Sequence, residues 1–214
     1  MKKELSTNEF IKIILAICDN VEKEKDYLSE LDRATGDGDH GVTMSIGWSA
    51  VKEKVSTLDD DITFDKICMQ IASSFLSAVG ASAGPLYANA LMRGGAKLKD
   101  LTVINSSQLS EFFDAAANGI QDRGKANLGD KTMLDVWLPT AKKIKDISSS
   151  TDNIIEILEQ GSLTANEKML STKDMLSKKG RSSKLGERSR GHIDPGAASS
   201  ALIFKTFYEA TQNL

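Results

Sequence analysis

Apolar residues recur along most of this chain at three- and four-residue intervals, the spacing that lines one face of an α-helix. Phe10, Ile14, Ile17, Cys18, Val21 and Leu28 share such a face and predict a helix from about Asn8 to Leu31. GVTMSIGWSAVKEKV, FDKICMQIASSFLSAV and LYANALMRGGAKL predict the next three helices. SQLSEFFDAAANGIQDR predicts a fifth, with Ser106 or Ser107 as its cap. In the sixth, KTMLDVWLPTAKKIKDI, Pro139 marks a kink or a tightened turn. TDNIIEILEQGSLTANEKMLSTKDML is long enough for one bent helix or two short ones about Gly161, and GAASSALIFKTFYEATQNL is the last. Strand-like alternation is nearly absent, and LTVIN at 101–105 is too short to seed a sheet. The expectation is an all-α fold: one domain over 1–214, a bundle of about eight antiparallel amphipathic helices.

The polar chemistry lies between these helices. Many of the 16 glycines cluster in TGDGDHG, VGASAGP, RGKANLGDKT and KKGRSSKLGERSRGHIDPG, together with Pro85, Pro195 and both histidines, His40 and His192. Helices that alternate up and down bring loops at one end onto a single site. Asp32, Asp37 and Asp39 supply three hard oxygen ligands without a cysteine pair or paired histidines, a profile for Mg²⁺ or Ca²⁺ rather than zinc. The alternative is an ordinary Asp-Gly turn whose aspartates cap helices, and on spacing alone the two readings are evenly matched.

The basic run is the counterpart. Lys178, Lys179, Arg181, Lys184, Arg188 and Arg190 face a single acid, Glu187. Arg181 and Arg188 suit phosphate, because a guanidinium fork matches phosphate oxygens in pairs. Taken alone, a solvated basic loop or a docking surface for an acidic partner explains the run better. An acidic and a basic glycine loop in one domain fit a metal–nucleotide site. Glycine-rich turns that run into helix starts, at VGASAGP and HIDPGAAS, offer backbone N–H groups to phosphate. No P-loop and no protein-kinase signature occurs. Asp130, Lys131 and Thr132 read as a helix cap and no more.

Composition changes little. The 214 residues are 40% hydrophobic and 27% charged with a formal charge of −3, which gives no reason to expect nucleic-acid or membrane binding. The N-terminus is interrupted by Glu4, Glu9 and Lys12, unlike a signal peptide, and no apolar run approaches a bilayer span, so the expected location is cytoplasmic. Cys18 and Cys68 sit in apolar helix-like segments, which favours free buried thiols over a disulfide.

LDRATGDGDHG, VGASAGPLY, RGKANLGDKTMLDVW and GRSSKLGERSRGHIDPGA, in this order, resemble the nucleotide-binding (DhaL-type) subunit of dihydroxyacetone kinases over nearly the whole chain. The resemblance implies a closed barrel of eight antiparallel helices with ADP, or ATP once phosphorylated, and two Mg²⁺ ions at one end. It implies Asp32, Asp37 and Asp39 as Mg²⁺ ligands, with His40, Gly41, Val42 and Thr43 approaching the nucleotide and its phosphates. Ser82 and Ala83 would line the phosphate side, and Gly124, Thr132 and Met133 the nucleotide pocket. Arg181 and the Asp194-Pro195-Gly196 turn would complete the site, with Arg181 and the three aspartates as the catalytic set. Three positions depart from the family pattern: Ala83 replaces a serine, Lys184 an aromatic residue and Arg190 an apolar one. The last two add cations near a docking face.

A free-standing chain of this length resembles the phosphotransferase-system form. The resemblance then implies two partners: a dihydroxyacetone-binding kinase subunit, and a phosphohistidine protein that donates the phosphoryl group. A homodimer or hetero-oligomer is expected. Two alternatives stand beside it: a subunit of an ATP-dependent kinase for a related ketose such as erythrulose, and a nucleotide-loaded module that binds a transcriptional regulator.

Overall fold

The computed structural model describes residues 1–59 and 61–214. Nine α-helices dominate it: α1 (Thr7–Lys23), α2 (Lys25–Arg33), α3 (His40–Val55), α4 (Phe64–Ala78), α5 (Ala83–Ala96), α6 (Ser106–Gly124), α7 (Leu134–Ser148), α8 (Ile154–Ser171) and α9 (Pro195–Gln212). Eight of them close a ring. Each of α3 to α8 packs on the next, and α1 packs on both α3 and α9, while the short α2 lies outside against α3 and α9.

The expected first helix is two, broken at Glu24, whose N–H is taken up by the carbonyls of Asn20 and Glu22. Its apolar face still behaves as the spacing requires: Phe10, Ile14, Ile17, Cys18, Val21 and Leu28 are all buried. LTVIN does form a strand. Glu4–Ser6 (β1) pairs antiparallel with Val103–Asn105 (β2), placing buried Leu5 opposite buried Ile104. Asn105, rather than Ser106 or Ser107, caps α6, in a reciprocal box with Gln108 like that of Ser6 and Glu9 at α1. α7 runs through Pro139 as one element, and the long stretch about Gly161 is one helix followed by a 3₁₀ turn at Thr172–Asp174.

Inside the ring the core is continuous and rich in aromatics. Phe10 stacks on Phe64 with centroids 5.2 Å apart, and Trp137 meets Phe204 at 4.8 Å. Both cysteines are free and buried, and burial pushes the Cys18 thiol up to about 12, so neither is poised to react. Among the described residues no helix is long and apolar enough to cross a membrane.

The ring fixes where the glycine loops go. They follow α2, α4, α6 and α8, alternate connections of an up-and-down ring, and therefore share one end. The same arithmetic points the N-termini of α3, α5, α7 and α9 at that end. Four helix dipoles thus present their positive poles to one place.

Candidate functional site

All four loops line a single cavity of about 770 Å³ at this end. Its acidic wall begins with Asp32, buried in the last turn of α2. One Asp32 oxygen accepts the N–H groups of Asp39 at 3.0 Å and His40 at 3.2 Å, so the carboxylate folds the loop around itself. The other oxygen is fitted against Gly36, where an added Cβ would lie 2.2 Å from it. Oxygens of Asp32, Asp37 and Asp39 come within 4.8 Å of one another. Three converging hard donors fit a divalent cation such as Mg²⁺, and there is no sulfur or nitrogen ligand in the cluster to favour a softer metal.

His40 and Thr43 also face the cavity. The His40 Nε2 is 3.0 Å from the Ser199 hydroxyl, and burial holds the imidazole below its ordinary pKa despite the opposing charge of Asp32. Ser199 leads on to Tyr87 and, through Ser200, to the Trp137 indole, all beneath the cavity floor. Gly41 and Val42 are not brought to the cavity. Gly41 faces α2, where a Cβ would lie 1.9 Å from the Lys25 carbonyl, and the Val42 side chain points outward, 48% exposed.

Ser82 and Ala83 line the second wall at the start of α5. Neither α3 nor α5 is capped by its own N-cap side chain. At α3 the Asp32 carboxylate takes the His40 N–H, and at α5 the Gly84 N–H goes to the Ala81 carbonyl while Pro85 has none, so each start offers only part of its first turn to an anion. Gly124, Thr132 and Met133 come from the third loop and the approach to α7. Asp194, Pro195 and Gly196 close the floor, with Asp194 accepting the Ala197 N–H at 2.8 Å to cap α9. Burial raises the Asp194 carboxyl to about 7, against the lowering effects of that hydrogen bond and of Lys131.

The basic loop folds over this cavity, and it contributes selectively. Arg181 pairs with Asp37 and lies 3.7 Å from Asp39. This exposed pair is worth little net energy, so a guanidinium resting there yields easily to a better-placed cation. Arg188 does not line the cavity. Arg190 is exposed, with its guanidinium 2.9 Å from Glu187 and donating to the Asp174 carbonyl of its own loop. Lys184 is exposed. Lys131 is the residue that sequence reasoning missed. Expected only to accompany a cap, it is 2% exposed and anchors the basic loop. No local signal marks it, because its partners lie 44 to 61 positions along the chain.

Residues 34–209 match the family described as the DAK2 domain. The chain belongs to that family. This DAK2 chain is 39% identical over 186 residues to the ADP-binding subunit DhaL of PEP-dependent dihydroxyacetone kinase 1 of Listeria innocua, covering 87% of each. It is 38% identical to the corresponding DhaL of Escherichia coli, covering 91% of this chain and 92% of that one. Its fold matches a crystal structure of the dihydroxyacetone kinase from C. freundii in complex with AMP-PNP and Mg²⁺, with a TM-score of 0.75 at 20% identity. The match takes in 98% of this chain but only 35% of that one. The DAK2 assignment agrees with the closed helical ring and extends across all four glycine loops.

Proposed function

We propose that this chain is the nucleotide-carrying subunit of a PEP-dependent dihydroxyacetone kinase, with 1–214 acting as one nucleotide-binding domain. In this reading phosphoryl groups arrive from a phosphohistidine donor protein and leave to dihydroxyacetone held on a separate subunit. Bound ADP, as ATP once phosphorylated, supplies the acceptor and donor of that group, and two Mg²⁺ ions supply charge neutralisation along the polyphosphate.

The chain's own residues perform positioning and charge compensation, which is most of what phosphoryl transfer asks of a protein. Asp32, Asp37 and Asp39 would hold the metal. The starts of α3 and α5 direct their helix dipoles, and at α5 the Ala83 N–H, toward phosphate oxygens. Arg181 is mobile enough in energy to leave its aspartate for a phosphate fork. His40, held neutral by burial, serves as a hydrogen-bonding wall rather than a cation. Ser82, Ala83, Thr132 and Met133 shape the cavity, with the Asp194-Pro195-Gly196 turn beneath.

The observation that carries the reading is the meeting of an acidic triad, a guanidinium and two helix N-termini in one cavity. It is supported by the end-to-end similarity to subunits named for ADP binding. Denaturing the purified protein and identifying any released nucleotide tests it. Stoichiometric ADP that survives gel filtration is the expected result. A protein that carries no nucleotide and takes up ATP reversibly assigns the chain instead to an ATP-dependent ketose kinase.

A further inference from the structure

A lysine in a glycine-rich loop just before a helix, lining a phosphate-sized cavity, invites assignment as a phosphate ligand. The geometry of Lys131 does not allow it. Its side chain is 2% exposed, and its ammonium lies 2.6 Å from the Ser189 carbonyl, 2.6 Å from that of His192 and 3.3 Å from that of Met175. An ammonium has three protons, and three carbonyls take them. No carboxylate pairs with it among the described residues. Its backbone stands in the left-handed region, φ 61°, a conformation a non-glycine residue holds only when its surroundings fix it.

The acceptors matter more than their number. Met175 is on the outgoing limb of the basic loop, while Ser189 and His192 are on the returning one. One buried charge therefore ties both limbs to the start of α7. The neck is stitched further by Ser177 N–H to the Ser189 hydroxyl at 3.0 Å, Gly191 N–H to the Lys173 carbonyl at 2.8 Å and Lys178 N–H to the Asp130 carbonyl at 3.0 Å. At the far side of the loop, Arg181 reaches Asp37 and Asp39.

We propose that Lys131 is a positioning residue: it closes the neck of the 175–192 loop, holds Arg181 opposite the acidic wall, and makes no contact with phosphate itself. This rests on the nucleotide reading above. Removing its three donors leaves main-chain carbonyls unpaired at the neck, so the loop opens and Arg181 is no longer held in place.

The test combines binding with two measurements that need no nucleotide site. Mg-ADP is titrated calorimetrically into wild type, K131M, R181A and the double variant. K131M weakens binding about ten- to hundredfold, the range for a residue that orients a ligand rather than being one. In the R181A background the K131M change adds little, because both act through the same guanidinium. Losses that multiply, or a K131M protein that binds like wild type, overturn the proposal. Separately, trypsin should cut K131M faster than wild type between residues 178 and 190, and unchanged cleavage overturns it. In wild type, reductive methylation should leave Lys131 unmodified with or without Mg-ADP. A Lys131 that is modified in free protein and shielded by Mg-ADP is a phosphate ligand, and the proposal fails even if K131M does not fold. Wild type that never binds Mg-ADP counts against the nucleotide reading alone, and the trypsin experiment still decides the role of Lys131.

Discussion

The acidic and basic walls of the cavity carry opposite charges and are built by opposite means. The acidic wall is short and anchored at both ends by helices. Asp32 belongs to α2, Asp39 stands directly before α3, and the Asp32 carboxylate itself accepts the N–H groups that fold the turn. Two of its three carboxylates, Asp32 and Asp39, are placed at helix ends. The basic wall is a long excursion between α8 and α9, with 3₁₀ turns at Thr172–Asp174 and Arg181–Ser189. No α-helix holds its Arg181, and a buried lysine from another loop gathers its neck. A charge near a helix end is placed by local structure, whereas a charge on a long loop needs a distant anchor. The first wall is therefore held along its whole length, and the second chiefly at its neck.

Stripping charge from the acidic wall without unfolding it should have the largest effect. D37A/D39A spares Asp32, which organises the turn, so the variant should melt close to wild type yet bind Mg-ADP about a hundredfold or more weakly by calorimetry. Retained binding would mean that the acidic wall does not hold metal. A smaller effect follows from disturbing the scaffold behind that wall. G41A drives a Cβ to within 1.9 Å of the Lys25 carbonyl and forces α2 and α3 apart. It should cost about 2 kcal/mol, lowering the melting temperature by about 4–8 °C in a thermal denaturation experiment. Unchanged stability would show that α2 adjusts freely and that the wall is not rigid.

A third effect concerns the floor between the walls. Burial raises the Asp194 carboxyl to about 7, against about 4 for an unfolded aspartate. Between those values the folded chain keeps a proton that the unfolded chain has released, so stability falls as pH rises from about 4 to about 7. D194N preserves the acceptor oxygen for Ala197 and should flatten that decline in denaturant titrations across the window. A profile parallel to wild type would remove Asp194 as its source.

The sequence made the helices legible because their apolar faces repeat over many turns. Phe10, Ile14, Ile17 and Val21 are buried as their spacing demands. The break at Glu24 was hidden, since neither glycine nor proline marks it and both helices continue one apolar face. The β1–β2 pair was hidden for a different reason. Three residues cannot display an alternation, and the pairing of Leu5 with Ile104 is set by tertiary packing. At the site, Asp32, Asp37, Asp39 and Arg181 were legible as charge placed beside glycine. Gly41 and Val42 belong to the same motif but face away, because one residue in a helix start turns the direction by about 100°. Lys131 was illegible: a buried lysine and a solvated one look identical in a loop until the carbonyls that surround it are known.

In the proposed function, a divalent cation on the acidic wall is what makes this cavity a nucleotide site. Titrating ADP into nucleotide-stripped wild-type protein, once in Mg²⁺ buffer and once in excess chelator, tests it most directly. Tight binding in Mg²⁺ and a loss of about a hundredfold or more in chelator are expected. Equal affinity in the two buffers would contradict it.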